Sequence, residues 1–125
     1  LERPPVFSPS VGRFRQGMIV QVPLQLWSLP SLPSASEIRE ILEAWYQGCR
    51  FVSVANEAET FDRIALLDAE ELNNTNRLRL FVFANDEIKQ IILAAQLDNL
   101  GKGASGQAVQ CLNLMLGLDE EVGID

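Results

Sequence analysis

The sequence has 125 residues, of which 47% are hydrophobic and 22% are charged, which is sufficient for one globular domain with a hydrophobic core. Its net charge of −7, from 10 basic and 17 acidic side chains, argues against nucleic acid and an anionic membrane surface as partners. No apolar run reaches the length of about 18 residues that a membrane-spanning helix needs, and no signal-peptide pattern opens the sequence, so we expect a cytoplasmic protein.

Side chains that commonly carry catalysis are scarce. The sequence contains no histidine, which removes the commonest general base and the usual metal ligand. Cys49 and Cys111 lack CxxC spacing and lie within or beside apolar helix patterns, so we expect buried free thiols in a reducing compartment. We therefore predict no catalytic residue and no metal ligand, and we do not expect this chain to catalyse a reaction by itself.

The first part of the chain predicts an extended lead-in followed by a strand. Residues 1–16 are rich in Pro, Ser and Arg. Residues 17–26 alternate apolar and polar side chains, which predicts a half-buried strand. Pro23 cannot donate a hydrogen bond to a neighbouring strand, so this point belongs at a sheet edge or a bulge.

A helix is predicted next. Ser34 and Glu37 have the spacing of a capping box, and Ser36 is an alternative N-cap. Apolar side chains then follow at helical spacing, and these are Ile38, Ile41, Leu42 and Trp45. Gly48 is typical of a helix end.

The middle of the chain predicts three further strands. Residues 51–54 form a short apolar run. The acidic stretch that follows, from 55 to 75, gives a weak signal, with a short helix around residues 69–72. Two strong strands, 78–83 and 88–97, are joined by a four-residue hairpin connection at 84–87. The run from Ile91 to Ala95 has no alternation, so that strand is expected to be covered on both faces.

The last quarter of the chain predicts an amphipathic helix over about residues 103–116. Its apolar side chains form one stripe with further apolar residues beside it, and Gln110 and Asn113 mark the side expected to face water. The stripe consists of Val109, Leu112 and Leu116, flanked by Ala108, Cys111 and Met115. The element order predicts an α+β domain built on a mixed or antiparallel sheet.

The start of this helix contains a literal G-x-G-x-x-G at residues 101–106. A dinucleotide fingerprint requires a second strand about 20 residues on, whereas the residues after Gly106 predict one helix and an acidic tail. Two interpretations remain. The glycines allow a tight turn, or the free N–H groups and Lys102 form a modest site for an anion or a carboxamide.

Two further groups of polar residues have alternative interpretations. Arg13 and Arg15 are either part of a solvated basic loop or an anion site for phosphate or carboxylate. Asn73, Asn74 and Asn76 are most simply turn formers.

Three segments resemble the shorter-chain branch of the N-acetyl-γ-glutamyl-phosphate reductase family, in the order in which that family has them. Residues 97–118 read LDNLGKGASGQAVQCLNLMLGL, residues 7–18 read FSPSVGRFRQGM and residues 74–83 read NTNRLRLFVF. The resemblance covers about residues 6–124. It implies the later part of a catalytic domain like that of glyceraldehyde-3-phosphate dehydrogenase.

The resemblance implies an enzyme of arginine biosynthesis that uses NADPH to reduce N-acetyl-glutamyl phosphate to the semialdehyde. The family forms a thioester on a cysteine assisted by a histidine, and both lie upstream of the matched segments. We therefore expect residues 1–125 to be one domain, with a lead-in at 1–16 and a final helix at 101–117, cut from a longer chain without its NADP-binding domain. Such a fragment is expected to be inactive alone, to hold no cofactor by itself and to form a homo-oligomer.

The resemblance also suggests site residues. Arg13 and Arg15 occupy the stretch that brings basic residues towards the anionic groups of the substrate. Cofactor-lining positions at the start of the last helix correspond to Asn99, Lys102, Gly103 and Ser105.

Two other interpretations are kept. One is a free-standing α+β module for oligomerisation or regulation, without catalysis. The other is the sister family of aspartate-semialdehyde dehydrogenases, against which the KGASG run argues.

Overall fold

A mixed sheet organises the protein. The computed structural model describes residue 4 and residues 6–124, and within them four strands pair in the order β1-β4-β3-β2. The strands are β1 (Met18–Gln25), β2 (Val52–Val54), β3 (Leu78–Asn85) and β4 (Gln90–Leu97). β4 pairs antiparallel with β1 and with β3, whereas β2 lies parallel to β3. The predicted α+β class with a mixed sheet is confirmed.

Helices connect or follow the strands. They are α1 (Ala35–Trp45), α2 (Glu57–Asp62) and α3 (Gly106–Leu116), with a 3-10 turn at Leu26–Ser28 and a π-helical turn at Gly101–Ser105. Within the described residues, no helix combines the length and the apolar composition needed to cross a bilayer.

The strand predictions are confirmed with a small shift at the hairpin. β1 is an edge strand, which explains why Pro23 is tolerated opposite Ile92. β3 and β4 form the predicted hairpin, but the four-residue loop is 86–89, two residues later than expected. Asn85 causes the shift, because its Oδ1 accepts from the backbone N–H of Glu87 at 3.1 Å and starts the turn.

α1 begins and ends as its sequence predicts. Ser34, and not Ser36, is the N-cap, since its side chain and that of Glu37 form a reciprocal capping box. The helix ends at Trp45, three residues before Gly48, whose φ of +80° suits glycine. Only part of the apolar stripe is covered, because Trp45 remains 79% exposed.

The sheet has an apolar core on each face. On one face Leu26, Val82 and Ile91 are buried and Ile38 and Leu42 of α1 pack against them. On the other face Ala55, Phe81 and Ala94 form a second cluster, covered by Leu67. Ile91 and Ala94 lie three residues apart in β4, on opposite faces, and both are buried, so the prediction that this strand is covered on both sides is confirmed.

The prediction for residues 55–75 was wrong in one respect. Residues 69–74 form turns, and the short helix of this region is α2 instead. The signal for α2 was present in the sequence, because Asn56 and Glu59 form a reciprocal capping box.

The orientation predicted for the last helix, and the burial of both cysteines, were also wrong. Asn113 on α3 is buried, whereas Leu112 and Met115 are exposed, so the polar side faces the protein. Cys111 is exposed for the same reason, and Cys49 is exposed in the loop after α1. Both are free thiols, as predicted.

Candidate functional site

Three loops meet at one end of the sheet. Met18 at the start of β1 and Leu78 at the start of β3 both pair with Leu97 at the end of β4. The lead-in before β1, the loop before β3 and the turn after β4 are therefore brought together by the strand register.

The carboxylate of Asp98 holds these loops in place. It is 2% exposed, and its Oδ2 accepts from the backbone N–H of Asn74 at 2.8 Å and from Gln16 Nε2 at 3.0 Å. Its Oδ1 accepts from the backbone N–H groups of Leu100 at 2.8 Å and Gly101 at 3.1 Å. One side chain thus satisfies donors from all three loops.

The same contacts keep Asp98 ionised. Burial raises the pKa of this carboxyl group. The hydrogen bonds from the backbone N–H groups of Asn74, Gly101 and Leu100 lower the pKa, and together they outweigh burial, so the pKa is below its ordinary value. A fixed negative charge therefore anchors this end of the sheet at neutral pH.

The lead-in is tied to the turn after β4 by a second contact. The backbone N–H of Gly17 donates to Asn99 Oδ1 at 2.8 Å. Gly17 has a φ of +110°, and a Cβ there would collide with the carbonyl oxygen of Ala69. This glycine is therefore required for the lead-in to approach the loop before β3.

A cavity of about 410 Å³ opens between these loops and the first turn of α3. Its lining includes Arg15 and Asp98, together with Asn76, Ser105 and Gly106. The cavity therefore combines one cation with several polar groups.

Of the predicted cofactor residues, Ser105 lines this cavity and Gly103 does not. Ser105 Oγ donates to the carbonyl oxygen of Leu100 at 2.8 Å, which closes the π-helical turn. The backbone N–H of Gly103 donates to the carbonyl oxygen of Asp98 at 2.8 Å. Asn99 is likewise engaged with the lead-in and lines a smaller neighbouring cavity of about 240 Å³.

Lys102 lies away from the cavity. It is 8% exposed, its Nζ donates to Gln110 Oε1 at 2.7 Å, and it lies 5.7 Å from the ring centroid of Phe51. Burial lowers the pKa of this lysine, and the nearby Cys111 thiol and Glu120 carboxylate oppose that effect only in part. Its direct contacts are with the interior of the chain.

The lysine fixes the orientation of a neighbouring amide. Lys102 can only donate, so the oxygen of the Gln110 amide must face it. With this orientation Gln110 Oε1 also accepts from Asn76 Nδ2 at 3.0 Å, and Gln110 Nε2 donates to Glu120 Oε2 at 2.8 Å. Asn76 Oδ1 then lies against Gly106 without a hydrogen-bond donor. A Cβ at position 106 would collide with this oxygen. The sequence suggested only a turn former at Asn76, and no local pattern marks it as a cavity residue.

The two predicted substrate arginines are in different places. Arg15 lines the main cavity, whereas Arg13 is exposed and does not. Neither Cys49 nor Cys111 lines the cavity, and the sequence has no histidine. Among the described residues, no group of three or more His, Cys, Asp or Glu side chains is placed to hold a metal ion. The arrangement can therefore bind an anionic or polar group.

Comparisons with known proteins agree on one family. The family model described as "Semialdehyde dehydrogenase, dimerisation domain" matches residues 1–99. The chain is 52% identical over 126 residues to the N-acetyl-gamma-glutamyl-phosphate reductase of Trichormus variabilis, covering 99% of this chain and 39% of that protein. It is also 52% identical over 117 residues to the reductase of Brucella anthropi, covering 94% of this chain and 37% of that protein. The chain thus spans less than two fifths of the length of these curated relatives.

Proposed function

Since the chain belongs to the family of semialdehyde dehydrogenase dimerisation domains, we propose that it is part of an N-acetyl-γ-glutamyl-phosphate reductase. The observation that carries this proposal is 52% identity over 99% of the chain to a reductase of that name. The whole enzyme then reduces N-acetyl-glutamyl phosphate to the semialdehyde with NADPH, in arginine biosynthesis. We place it in the cytoplasm, where reducing conditions keep Cys49 and Cys111 as thiols.

We propose that the chemistry is divided between this chain and the rest of the enzyme. The thioester cysteine and its histidine belong to the other part, because no histidine occurs here and neither cysteine lines the cavity. This chain contributes the dimerisation surface and one wall of the substrate cleft. We therefore expect it to be inactive alone.

The residues present fit one end of NADP but not the whole cofactor. Asn76 Oδ1, which has no donor, and Ser105 provide polar groups beside the cavity. Within the described residues up to 124, the turn at 101–106 leads into α3 and not to the second strand of a pyrophosphate-binding unit. We propose that Ser105 faces the cofactor, while Asn99, Lys102 and Gly103 hold the turn that presents it. The cofactor supplies the hydride; these residues only position one side of it.

Arg15 is the proposed contact for the anionic group of the substrate. It supplies the cationic side chain of the cavity, and a guanidinium donates two parallel hydrogen bonds to a phosphate or carboxylate. Arg13 is proposed to add attraction from the rim, since it is exposed two residues away.

The division of labour is tested with the purified chain and the remainder of the Trichormus variabilis reductase. The chain alone should give no NADPH oxidation with the acyl phosphate, and mixing it with the remainder should produce turnover. In the mixture, Arg15→Gln should raise the KM for the acyl phosphate about tenfold or more. Lys89→Gln, at the opposite end of the sheet, serves as the control and should leave KM unchanged. Turnover by the chain alone would contradict the proposal.

A free-standing oligomerisation module is the second candidate. The description of the matching family as a dimerisation domain over residues 1–99 favours it. Both candidates require a homo-oligomer, which sedimentation equilibrium measures. Only the reductase proposal requires activity to appear when the remainder of the enzyme is added, so the mixing experiment separates the two.

A further inference from the structure

The chain turns back on itself after α3. Gly117, the residue after the helix, has a φ of +70°, which suits glycine at the end of a helix. The backbone N–H of Leu118 then donates to the carbonyl oxygen of Asn113 at 2.9 Å. This reversal directs the acidic tail, which the structure describes as residues 119–124, back towards the helix that precedes it.

Amide side chains of α3 hold the tail. Asn113 is 5% exposed, and its Nδ2 donates to the carbonyl oxygens of Glu120 at 3.2 Å and Val122 at 2.8 Å. Gln110 Nε2 donates to the carboxylate of Glu120 at 2.8 Å, while the oxygen of the same amide accepts from Lys102 at 2.7 Å. The two amides therefore fix the path of the tail along the helix.

An arginine from another part of the chain clamps the tail. Arg50 lies between α1 and β2, and its Nη1 is 2.8 Å from Asp119 Oδ1 and 2.7 Å from Glu121 Oε2. Exposed ion pairs contribute little one by one, but a single guanidinium that joins two carboxylates of one turn restricts that turn more than either pair alone. Since Glu120 is bound by Gln110, all three acidic side chains of the described tail have a partner.

The end of the tail belongs to the main cavity. Gly123 and Ile124 line the cavity of about 410 Å³, together with Val109 of α3 and Ser105. Ile124 also lines a neighbouring cavity with Arg50, so this one residue connects the arginine clamp to the main cavity. The three acidic side chains do not line the main cavity. The tail thus adds an apolar residue to a cavity that many polar side chains line.

We infer that the tail is one wall of the cofactor site, in which Ile124 packs against the nicotinamide ring and Arg50 is a positioning residue that holds the tail. This inference rests on the proposed function, in which Ser105 of the same cavity faces NADP. A nicotinamide ring has two apolar faces and a polar carboxamide. A lining that combines Ile124 and Val109 with polar groups such as Ser105 fits such a ring.

The charges of the tail make Arg50 important for this wall. NADP and the acyl phosphate are anionic, and uncompensated carboxylates close to them would repel them. In the structure Arg50 compensates Asp119 and Glu121. Loss of Arg50 would therefore loosen the tail and also leave two negative charges next to the cavity. Both effects weaken the binding of an anionic cofactor, although Arg50 itself does not line the main cavity.

NADPH binding to the mixture of this chain with the remainder of the Trichormus variabilis reductase tests the wall. Ile124→Ala removes the proposed contact and should raise the Kd for NADPH about fivefold or more, measured by the fluorescence of the bound nucleotide. Val122→Ala is the matched control, because Val122 is an exposed apolar residue of the same tail that does not line the cavity. Its Kd should stay within about twofold of the wild type. Both variants should keep the KM for the acyl phosphate within about twofold, since Arg15 is the proposed contact for that substrate.

The clamp is tested with a second set of variants. Arg50→Gln should raise the Kd for NADPH about threefold to tenfold, and Arg50→Lys should restore most of the affinity, because lysine still supplies a cation. Arg63→Gln removes an arginine that pairs with Glu71 instead of the tail, and it should leave the Kd unchanged. In the chain alone, Arg50→Gln should speed hydrogen exchange of the Ile124 backbone N–H at least threefold, since that group donates to the carbonyl oxygen of Glu121 at 3.0 Å.

The outcomes separate this wall from the proposed function. Unchanged NADPH affinity in Ile124→Ala and Arg50→Gln would overturn the inference, and it would leave the proposed function intact if the mixture reduces the acyl phosphate. An equal loss of affinity in Val122→Ala and Ile124→Ala would also count against the wall, because it would indicate only that the tail must fold. NADPH binding that depends on Ile124, without turnover, would support the wall and contradict the reductase proposal. A mixture that binds no NADPH would contradict both.

Discussion

Asp98 accepts the hydrogen bonds that hold together the three loops at the end of the sheet beside the cavity. Each of its oxygens accepts two hydrogen bonds, and three of the four donors are backbone N–H groups. A neutral side chain of the same shape cannot replace it, because an amide offers only one acceptor oxygen.

Asp98→Asn should therefore lower the free energy of unfolding by about 2–4 kcal/mol at pH 7. The amide N–H₂ group would face two donors, whichever way the side chain is turned. Asp86→Asn in the exposed hairpin loop removes the same charge and should change stability by less than about 0.5 kcal/mol. Denaturant titration of both variants checks this, and equal stability of the two would contradict the role of Asp98.

The contribution of Asp98 should also depend on pH in a defined direction. Its pKa is lowered in the folded protein, whereas in the unfolded chain it lies near the ordinary value of about 3.9. The stabilisation is therefore complete above the unfolded value and is lost as pH falls through the lower, folded value. The difference in unfolding free energy between the wild type and Asp98→Asn should be constant from pH 7 to about 5 and should shrink in stronger acid.

Alanine substitutions at Gly106 and Gly103 form a matched test of close packing around the turn before α3. A Cβ at position 106 would collide with Asn76 Oδ1, whereas one at position 103 would lie 3.4 Å from the carbonyl oxygen of Asp98, an ordinary contact. Gly106→Ala should cost about 1–3 kcal/mol despite the better helix propensity of alanine. Gly103→Ala should be neutral or stabilising by up to about 1 kcal/mol. Thermal unfolding distinguishes them, and stabilisation by both would exclude close packing at Gly106.

At the level of secondary structure, the start of α1 depends on a local signal. Ser34→Ala removes the capping box and should lower stability by about 1 kcal/mol. Ser36→Ala is the control, because Ser36 donates only to exposed Glu40, at 3.1 Å, and its loss should cost less than about 0.5 kcal/mol. Circular dichroism during urea unfolding gives both values; a larger effect at Ser36 would contradict the assignment of the N-cap.

The elements that the sequence predicted correctly are those with a local cause. Pro23 marked an edge strand because it lacks a donor, and Ser34 with Glu37 marked a helix start because the two side chains are close in sequence. α2 was missed although Asn56 and Glu59 carry the same signal, since the acidic composition of the region obscured it.

The orientation of α3 could not be predicted in the same way. The apolar pattern correctly indicated an amphipathic helix, but it does not state which side meets this part of the protein. The orientation is set by hydrogen bonds of two amide side chains. Asn113 donates to backbone carbonyl groups of the acidic tail, and Gln110 accepts from Lys102. The same limit applies to the cavity, where Asn76 is brought to Gly106 across 30 residues of sequence by the strand register.

For the whole molecule, the exposed surface is larger than expected of a compact monomer. A monomer of this mass should expose about 6,700 Å², whereas the chain exposes 9182 Å². The exposed residues 6–15 of the lead-in and uncovered apolar side chains both contribute to this excess. Besides the exposed apolar side of α3, a groove is lined by Val20 and Val22 on edge strand β1 and by Leu42 of α1 and Tyr46 directly after it.

This sheet groove should drive self-association of the isolated chain. Its lining is almost entirely apolar, it lies on an edge strand within the matched dimerisation domain, and it has a volume of about 200 Å³. Val22→Lys places a charge in the groove, whereas Gln21→Lys places the same charge on the opposite face of β1. Sedimentation velocity across a concentration series should show association of the wild type and Gln21→Lys, and a monomer for Val22→Lys. A wild-type chain that stays monomeric at high concentration, or a Gln21→Lys variant that dissociates equally, would show that this groove is not the contact.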